Sequence, residues 1–149
     1  MGYFKNIKLN CFRNFNELQL EFSDKCNVLF GKNGCGKTNL LEAISFLSPG
    51  RGLRRARLRD VQKEDCLDDP NNRWAIAATV FGPIGYTRIS CCLGVTNKGT
   101  SCRLTRHEGR SGRPADLAQL LGVQWLTPQL DRLFMEGPSS RRRFLDRLV

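Results

Sequence analysis

Residues 27 to 47 read NVLFGKNGCGKTNLLEAISFL. Cys26 to Phe30 is a short run without polar alternation, the pattern of a strand covered on both faces. Gly31-Lys32-Asn33-Gly34-Cys35-Gly36-Lys37-Thr38 then breaks it, with two glycines five apart followed by Lys and Thr. From Lys37 to Leu47 the apolar residues Leu40, Leu41, Ile44 and Leu47 recur as one face of a buried helix. Strand, glycine loop and helix, in that order, are the context in which this spacing holds a phosphate. Glycines let successive N–H groups turn inward, and the helix start adds its positive end. Lys37 supplies charge for the β- and γ-phosphates, and the Thr38 hydroxyl is a ligand for Mg²⁺. A nucleotide with Mg²⁺ is therefore the expected ligand.

On the N-terminal side, Tyr3 to Leu9 and Glu17 to Phe22 alternate as strands. On the other, Ser48-Pro49-Gly50 ends the helix and opens Arg51 to Asp60, a segment with five basic groups against one acidic and too few apolar residues for a core position. It reads as a surface loop. Trp74 to Phe81 and Tyr86 to Leu93 flank Gly82-Pro83-Ile84-Gly85, a hairpin signal, and Ser101 to Arg106 adds a further strand. From Ala115 the pattern turns helical, with Leu117, Leu120 and Leu121 on one face and Gly122 as its end. A last helix is expected from near Ser139, with Phe144, Leu145 and Leu148 on its apolar side. It meets Val149 without a Gly, Asn or Pro to stop it, which suggests a piece of a longer protein.

The whole chain has 149 residues, with 24 basic and 14 acidic side chains for a net charge of +10, and 17 of the cations are Arg. That balance favours phosphate-rich partners such as DNA, RNA or nucleotides, and Arg makes planar bidentate contacts with phosphate. No apolar run approaches the ~18 to 20 residues of a spanning helix, so no membrane role is expected. Seven cysteines, scattered and without a C-x-x-C pair, suit neither a zinc site nor a disulfide framework. Free, mostly buried thiols in a reducing cytoplasm are the expectation.

Three stretches resemble the RecF family, within the wider group of RecF, RecN and SMC proteins of ABC-ATPase type. They are LNCFRNF at 9 to 15, NVLFGKNGCGKTNLLEAISFLSPGRGLRRA at 27 to 56, and WLTPQLDRLFMEGPSSRRRFLDRLV at 125 to 149. The last is the most specific, because its RRRFLD signature is not shared by SMC proteins. The resemblance implies an α/β P-loop NTPase fold: an N-terminal lobe with a mixed sheet around the P-loop helix, a β-rich part and C-terminal helices. Residues 1–149 would be one Walker A lobe. It implies ATP as the nucleotide, held by Gly31, Lys32, Asn33, Gly34, Cys35, Gly36, Lys37 and Thr38, with Asn39 matching the family pattern and Arg13 and Asn14 as secondary contacts. For Arg13, a cation merely capping a strand end is the alternative.

The resemblance further implies action at single-strand gaps and single-strand/double-strand junctions in DNA, in replication, recombinational repair and the SOS response, beside RecO and RecR. It also implies an ATP-dependent homodimer of a full-length, slow, DNA-dependent ATPase in the cytoplasm. The Walker B strand and signature motif that complete such a site are absent from the sequence, so ATP binding with negligible hydrolysis is expected. A self-sufficient P-loop kinase or GTPase would need its own N-K-x-D or an apolar strand closing in Asp, and neither occurs. Arg51, Arg54, Arg55, Arg57 and Arg59 are candidate DNA contacts, with a solvated loop as the alternative. Arg141, Arg142 and Arg143 oppose a helix dipole and have Asp146 as a local ion-pair partner or DNA as an external one. Cys35, inside the loop, is either a small residue chosen for space or a thiol through which reagents block ATP.

Overall fold

In the computed structural model, residues 2–67 and 72–126 are described, with 138, 139 and 142. Strand β1, Tyr3–Phe12, alternates so that Ile7 and Leu9 turn inward while Lys8 and Asn10 turn away. It turns through Arg13-Asn14 into β2, Phe15–Glu21, with Phe12 opposite Phe15 and an ion pair of 2.6 Å between Lys8 and Glu17 across the two strands. The chain then passes through the glycine loop into the helix α1, Lys37–Ser45. After a long irregular stretch it returns as β3, Ala75–Gly82, on the other side of β1. A two-residue turn, Pro83-Ile84, pairs Gly82 with Gly85 and leads to β4, Gly85–Val95. Gly85 sits at φ +94, where a side chain is disfavoured. Strands β5, Ser101–His107, and β6, Arg110–Gly112, finish an antiparallel sheet of order β2-β1-β3-β4-β5-β6.

One face of this sheet makes the core. Ile7, Leu9, Ile76, Ala78, Val80, Ile89 and Cys91 meet Leu40 and Ala43 of α1, then Phe46 and Leu47 beyond it. Each large side chain so buried stabilises the fold by roughly 1.5–3 kcal/mol. Phe12, Phe46 and Trp74 pack edge to face at 5.5 to 5.9 Å, tying β1, the end of α1 and the entry to β3 together. Beside them, burial pushes the Cys91 thiol up to about 12, only partly opposed by the neighbouring Arg103 cation. Such a thiol stays protonated and inert near neutrality.

The hairpin at 82 to 85 and the strand from Ser101 lie where the sequence places them, and the P-loop helix packs on the sheet as expected. Four expectations are corrected. The sheet, expected to be mixed, is antiparallel throughout the described strands. Cys26 to Phe30 is no strand: Val28 and Phe30 are 77% and 91% exposed, because no described strand runs beside them to supply hydrogen bonds. The helix expected from Ala115 is a 3-10 helix, Pro114–Gln119, whose hydrogen bonds reach back three residues, as from Asp116 N–H to Arg113 O and from Leu120 N–H to Leu117 O; it still buries Leu117.

The fourth concerns the thiols. Cys11 and Cys66, both buried, form a disulfide across 55 residues, with Cα atoms 6.1 Å apart. The segment 61 to 66 folds back on the end of β1, where Lys63 N–H donates to Cys11 O and Arg13 N–H to Val61 O. That return is what brings the two sulfurs together. Cys26 and Cys35 are free and exposed. Of the expected final helix, Pro138, Ser139 and Arg142 are helical; Arg141, Arg143, Phe144, Leu145, Asp146 and Leu148 lie outside the described residues.

Candidate nucleotide-binding site

The β1–β2 turn and the start of α1 meet at the glycine loop. Gly36, the residue before α1, is buried at φ +102. A Cβ there would lie 2.5 Å from the Phe15 ring and 2.8 Å from the Asn14 amide. Only glycine lets the loop come this close to the hairpin turn. Gly34 is the opposite case, at φ +84 with open space around it. There the backbone faces outward and a ligand can approach without meeting a side chain.

Lys37 reaches back over the loop, its ammonium donating to Gly31 O at 2.7 Å and Lys32 O at 2.8 Å. The third donor of the ammonium meets only a weak acceptor, Cys35 Sγ at 3.9 Å, a contact that an anion can displace. Among the described residues, the N–H groups of Gly34, Gly36, Lys37 and Thr38 find no acceptor, whereas Leu40 N–H begins the helical ladder on Gly36 O. Unpaired donors at a helix start beside a held cation make a cradle for phosphate. Thr38 is exposed in the first turn, with its hydroxyl available to a metal ion. The residues present thus fit an Mg²⁺ nucleotide.

The structure brings Asn14 and Asn39 to the loop. Asn14 Nδ2 donates to Cys35 O at 3.4 Å, and Asn39 Nδ2 donates to Asn14 Oδ1 at 2.8 Å. The Arg13 guanidinium is directed elsewhere. Its Nε and Nη2 hold both carboxylate oxygens of Glu42, at 2.9 and 2.8 Å, and its Nη1 donates to Asp60 O at 2.9 Å. Cys35 Sγ lies 3.9 Å from the Lys37 ammonium, in the wall of the loop.

Glu42 is the residue that sequence reasoning missed. It sits in α1 with no exposed surface, while Leu41, assigned to the buried face, is 49% exposed. Its second partner is Arg54, whose Nη1 reaches Glu42 Oε2 at 3.1 Å and Asn39 Oδ1 at 2.8 Å. No local signal marked it, because position 42 lies across the helix from Leu40 and Ile44, where an acid reads as a solvated residue.

The arginine-rich segment is an irregular surface stretch, as expected, with all five candidate arginines exposed. Two of them have protein partners: Arg54 as above, and Arg59, which donates to Ser101 Oγ at 2.7 Å. Arg51, Arg55 and Arg57 are exposed and have no side-chain hydrogen bond or ion pair among the described residues.

A family model described as the RecF/RecN/SMC N terminal domain matches residues 3–129. The DNA replication and repair protein RecF of Caulobacter vibrioides is 45% identical over 145 residues, which cover 97% of this chain and 37% of that protein. Its counterpart in Rhizobium meliloti is 45% identical over 148 residues, covering 99% and 38%. The chain therefore spans under two fifths of the length of these relatives. Among solved structures, the recombination mediator protein RecF with ATP, described as part of the RecFOR pathway, aligns with a TM-score of 0.72 at 28% identity, over 97% of this chain and 38% of that one. A RecF-ATPrS structure aligns at 0.76 over 98% and 38%.

Proposed function

Because the chain belongs to the RecF/RecN/SMC N-terminal domain family, we propose that residues 1–149 are the ATP-binding Walker A lobe of a RecF-type protein of DNA replication and repair. The observation that carries this is the Lys37 ammonium held on Gly31 O and Lys32 O beside the unpaired N–H groups of the loop. Gly31 to Lys37 would cradle the phosphates, Thr38 would hold Mg²⁺, and Asn14 and Asn39 would steady the loop from the side. Arg13 would act on the site indirectly, from its place on Glu42. The bound metal ion would neutralise phosphate charge. The ATP-bound RecF structure, which aligns over nearly all of this chain, supports the choice of nucleotide.

Turnover by this chain alone should be negligible. Hydrolysis needs a carboxylate to hold the metal and a group to position water. Glu42, the acidic residue of the P-loop helix, is buried between two guanidiniums and serves neither purpose. Among the described residues no cluster of His, Cys, Asp or Glu could hold a metal ion on its own. Titration of the 149-residue chain with MgATP should give saturable binding, with phosphate release no faster than in buffer. Steady turnover that disappears in Lys37→Ala would overturn this reading.

DNA is the proposed second ligand, and Arg51, Arg55 and Arg57 are its contacts. Arg54 and Arg59 instead pin the segment to the protein. Each phosphate contact contributes about 0.9 to the slope of log K against log salt, so replacing all three free arginines by Ala should flatten the slope by roughly 2 to 3. An unchanged slope removes DNA from this surface. Junction binding beside RecO and RecR, an ATP-dependent homodimer, a part in the SOS response and a cytoplasmic location complete the proposal, all by family membership. No helix among the described residues is long and apolar enough to cross a membrane.

A further inference from the structure

We propose that Glu42 is a positioning residue of the nucleotide site, the buried hub that fixes the hairpin turn, the P-loop helix and the arginine-rich segment in one register. Three parts of the chain meet at its carboxylate, its own helix and two that bring arginines to it. Arg13 comes from the β1–β2 turn, Glu42 from α1, and Arg54 from the loop that follows. From this hub a continuous run of hydrogen bonds leads to the phosphate loop. Arg54 donates to Asn39, Asn39 to Asn14, and Asn14 to Cys35 O. Arg13 extends it the other way to Asp60 O.

A purely stabilising role accounts poorly for this arrangement. A buried ion pair gains little over apolar packing, because desolvation offsets most of the attraction. Leucine at position 42 would extend the buried side that Ala43 and Phe46 already form. What apolar packing cannot supply is direction: a carboxylate gripped by both Nε and Nη2 sets the plane of the Arg13 guanidinium. The backbone of Arg13 is itself at φ 54, a conformation that residues other than glycine avoid, so it depends on such external bonds. With Arg13 fixed, Asn14 beside it is set against Cys35 and Gly36. The inference rests on the nucleotide reading above and adds which residue sets the geometry of the loop wall.

The test is a set of MgATP titrations on the 149-residue chain, with melting temperature followed in parallel. Glu42→Gln keeps the shape and removes the charge; it should weaken MgATP about tenfold in folded protein. Asn14→Ala should weaken binding severalfold in the wild-type background and less than about twofold in the Glu42→Gln background, since Asn14 is then already misplaced. A structural glutamate would instead lower the melting temperature while leaving both the affinity of the folded protein and the Asn14→Ala effect unchanged. That result overturns the proposal. If Glu42→Gln does not fold, Arg54→Ala removes one partner from the exposed side of the hub, and the same loss of the Asn14→Ala effect is expected; its persistence is equally decisive against the hub. Binding by the wild type that Lys37→Ala abolishes establishes the site independently, so a failure of Glu42 alone is distinguishable from a failure of the nucleotide reading.

Discussion

MgATP affinity should fall by about 100-fold in Lys37→Ala while the fold survives. The magnitude follows from what the ammonium does. A hydrogen bond to a charged group contributes about 1.5–3 kcal/mol, and each 1.4 kcal/mol is tenfold in affinity. The upper end applies because the side chain is held before any ligand arrives, on Gly31 O and Lys32 O. Ordering a free lysine would cost up to ~2 kcal/mol of rotamer entropy, and that cost is already met within the folded chain. Lys37→Met separates charge from shape: it keeps most of the stem, drops the donors, and should bind nearly as weakly as Ala. Lys37→Arg keeps the charge but places a planar fork where a compact ammonium fits between two carbonyls, so it should restore little. Lys37 is only partly buried and makes no core contact, so stability should change by less than about 1 kcal/mol in all three. The measurement is a titration with a fluorescent ATP analogue in Mg²⁺, beside a thermal melt. Affinity within threefold of wild type in Lys37→Met would mean that the loop does not hold phosphate through this residue.

The loop was legible in the sequence because its demands are local. Gly31, Gly34 and Gly36 all sit at positive φ within the loop itself, and Lys37 acts on carbonyls five and six residues before it. The hairpin at 82 to 85 was equally local, a Gly-Pro-x-Gly turn between alternating runs. Whatever depended on distant partners did not show. Cys26 to Phe30 has the composition of a covered strand, but composition names only the faces a strand needs, and no described strand lies beside it. Glu42 was hidden because its cations come from 29 residues before it and 12 after it, so no helical periodicity could reveal that an acid belongs inside. Cys11 and Cys66 were hidden by their separation in the same way. Strand order was the third such case: β1 lies between β2, its successor, and β3, which arrives only after the loop, the helix and the arginine-rich segment.

Trp74 is one of the residues through which those long-range contacts hold the fold together. Trp74→Ala should destabilise the chain by about 3–5 kcal/mol, the range for removing a fully buried large aromatic. Its ring has no exposed surface, meets Phe12 at 5.9 Å and Phe46 at 5.5 Å, and donates through Nε1 to Leu58 O at 2.7 Å. Truncation leaves a cavity among three elements that cannot collapse together. Phe12 is held in the sheet, Phe46 by the end of α1, and the carbonyl of Leu58 loses its donor. Domains of this size have about 5–15 kcal/mol to spare against unfolding, so the variant loses roughly a fifth or more of its stability, and its melting temperature should drop by roughly 10 °C or more. Trp74→Phe fills most of the cavity and leaves only the Leu58 carbonyl unpaired, which should cost about 1–3 kcal/mol. The ordering Ala, then Phe, then wild type in denaturant midpoint, followed by circular dichroism, is the check. A Trp74→Ala midpoint within error of wild type would show that the aromatic trio does not fasten the P-loop helix to the sheet. Because Phe46 lies one residue past α1, the same loosening should reach the nucleotide site: Trp74→Ala should bind MgATP normally when cold and lose it on warming well before Lys37→Met loses its fold.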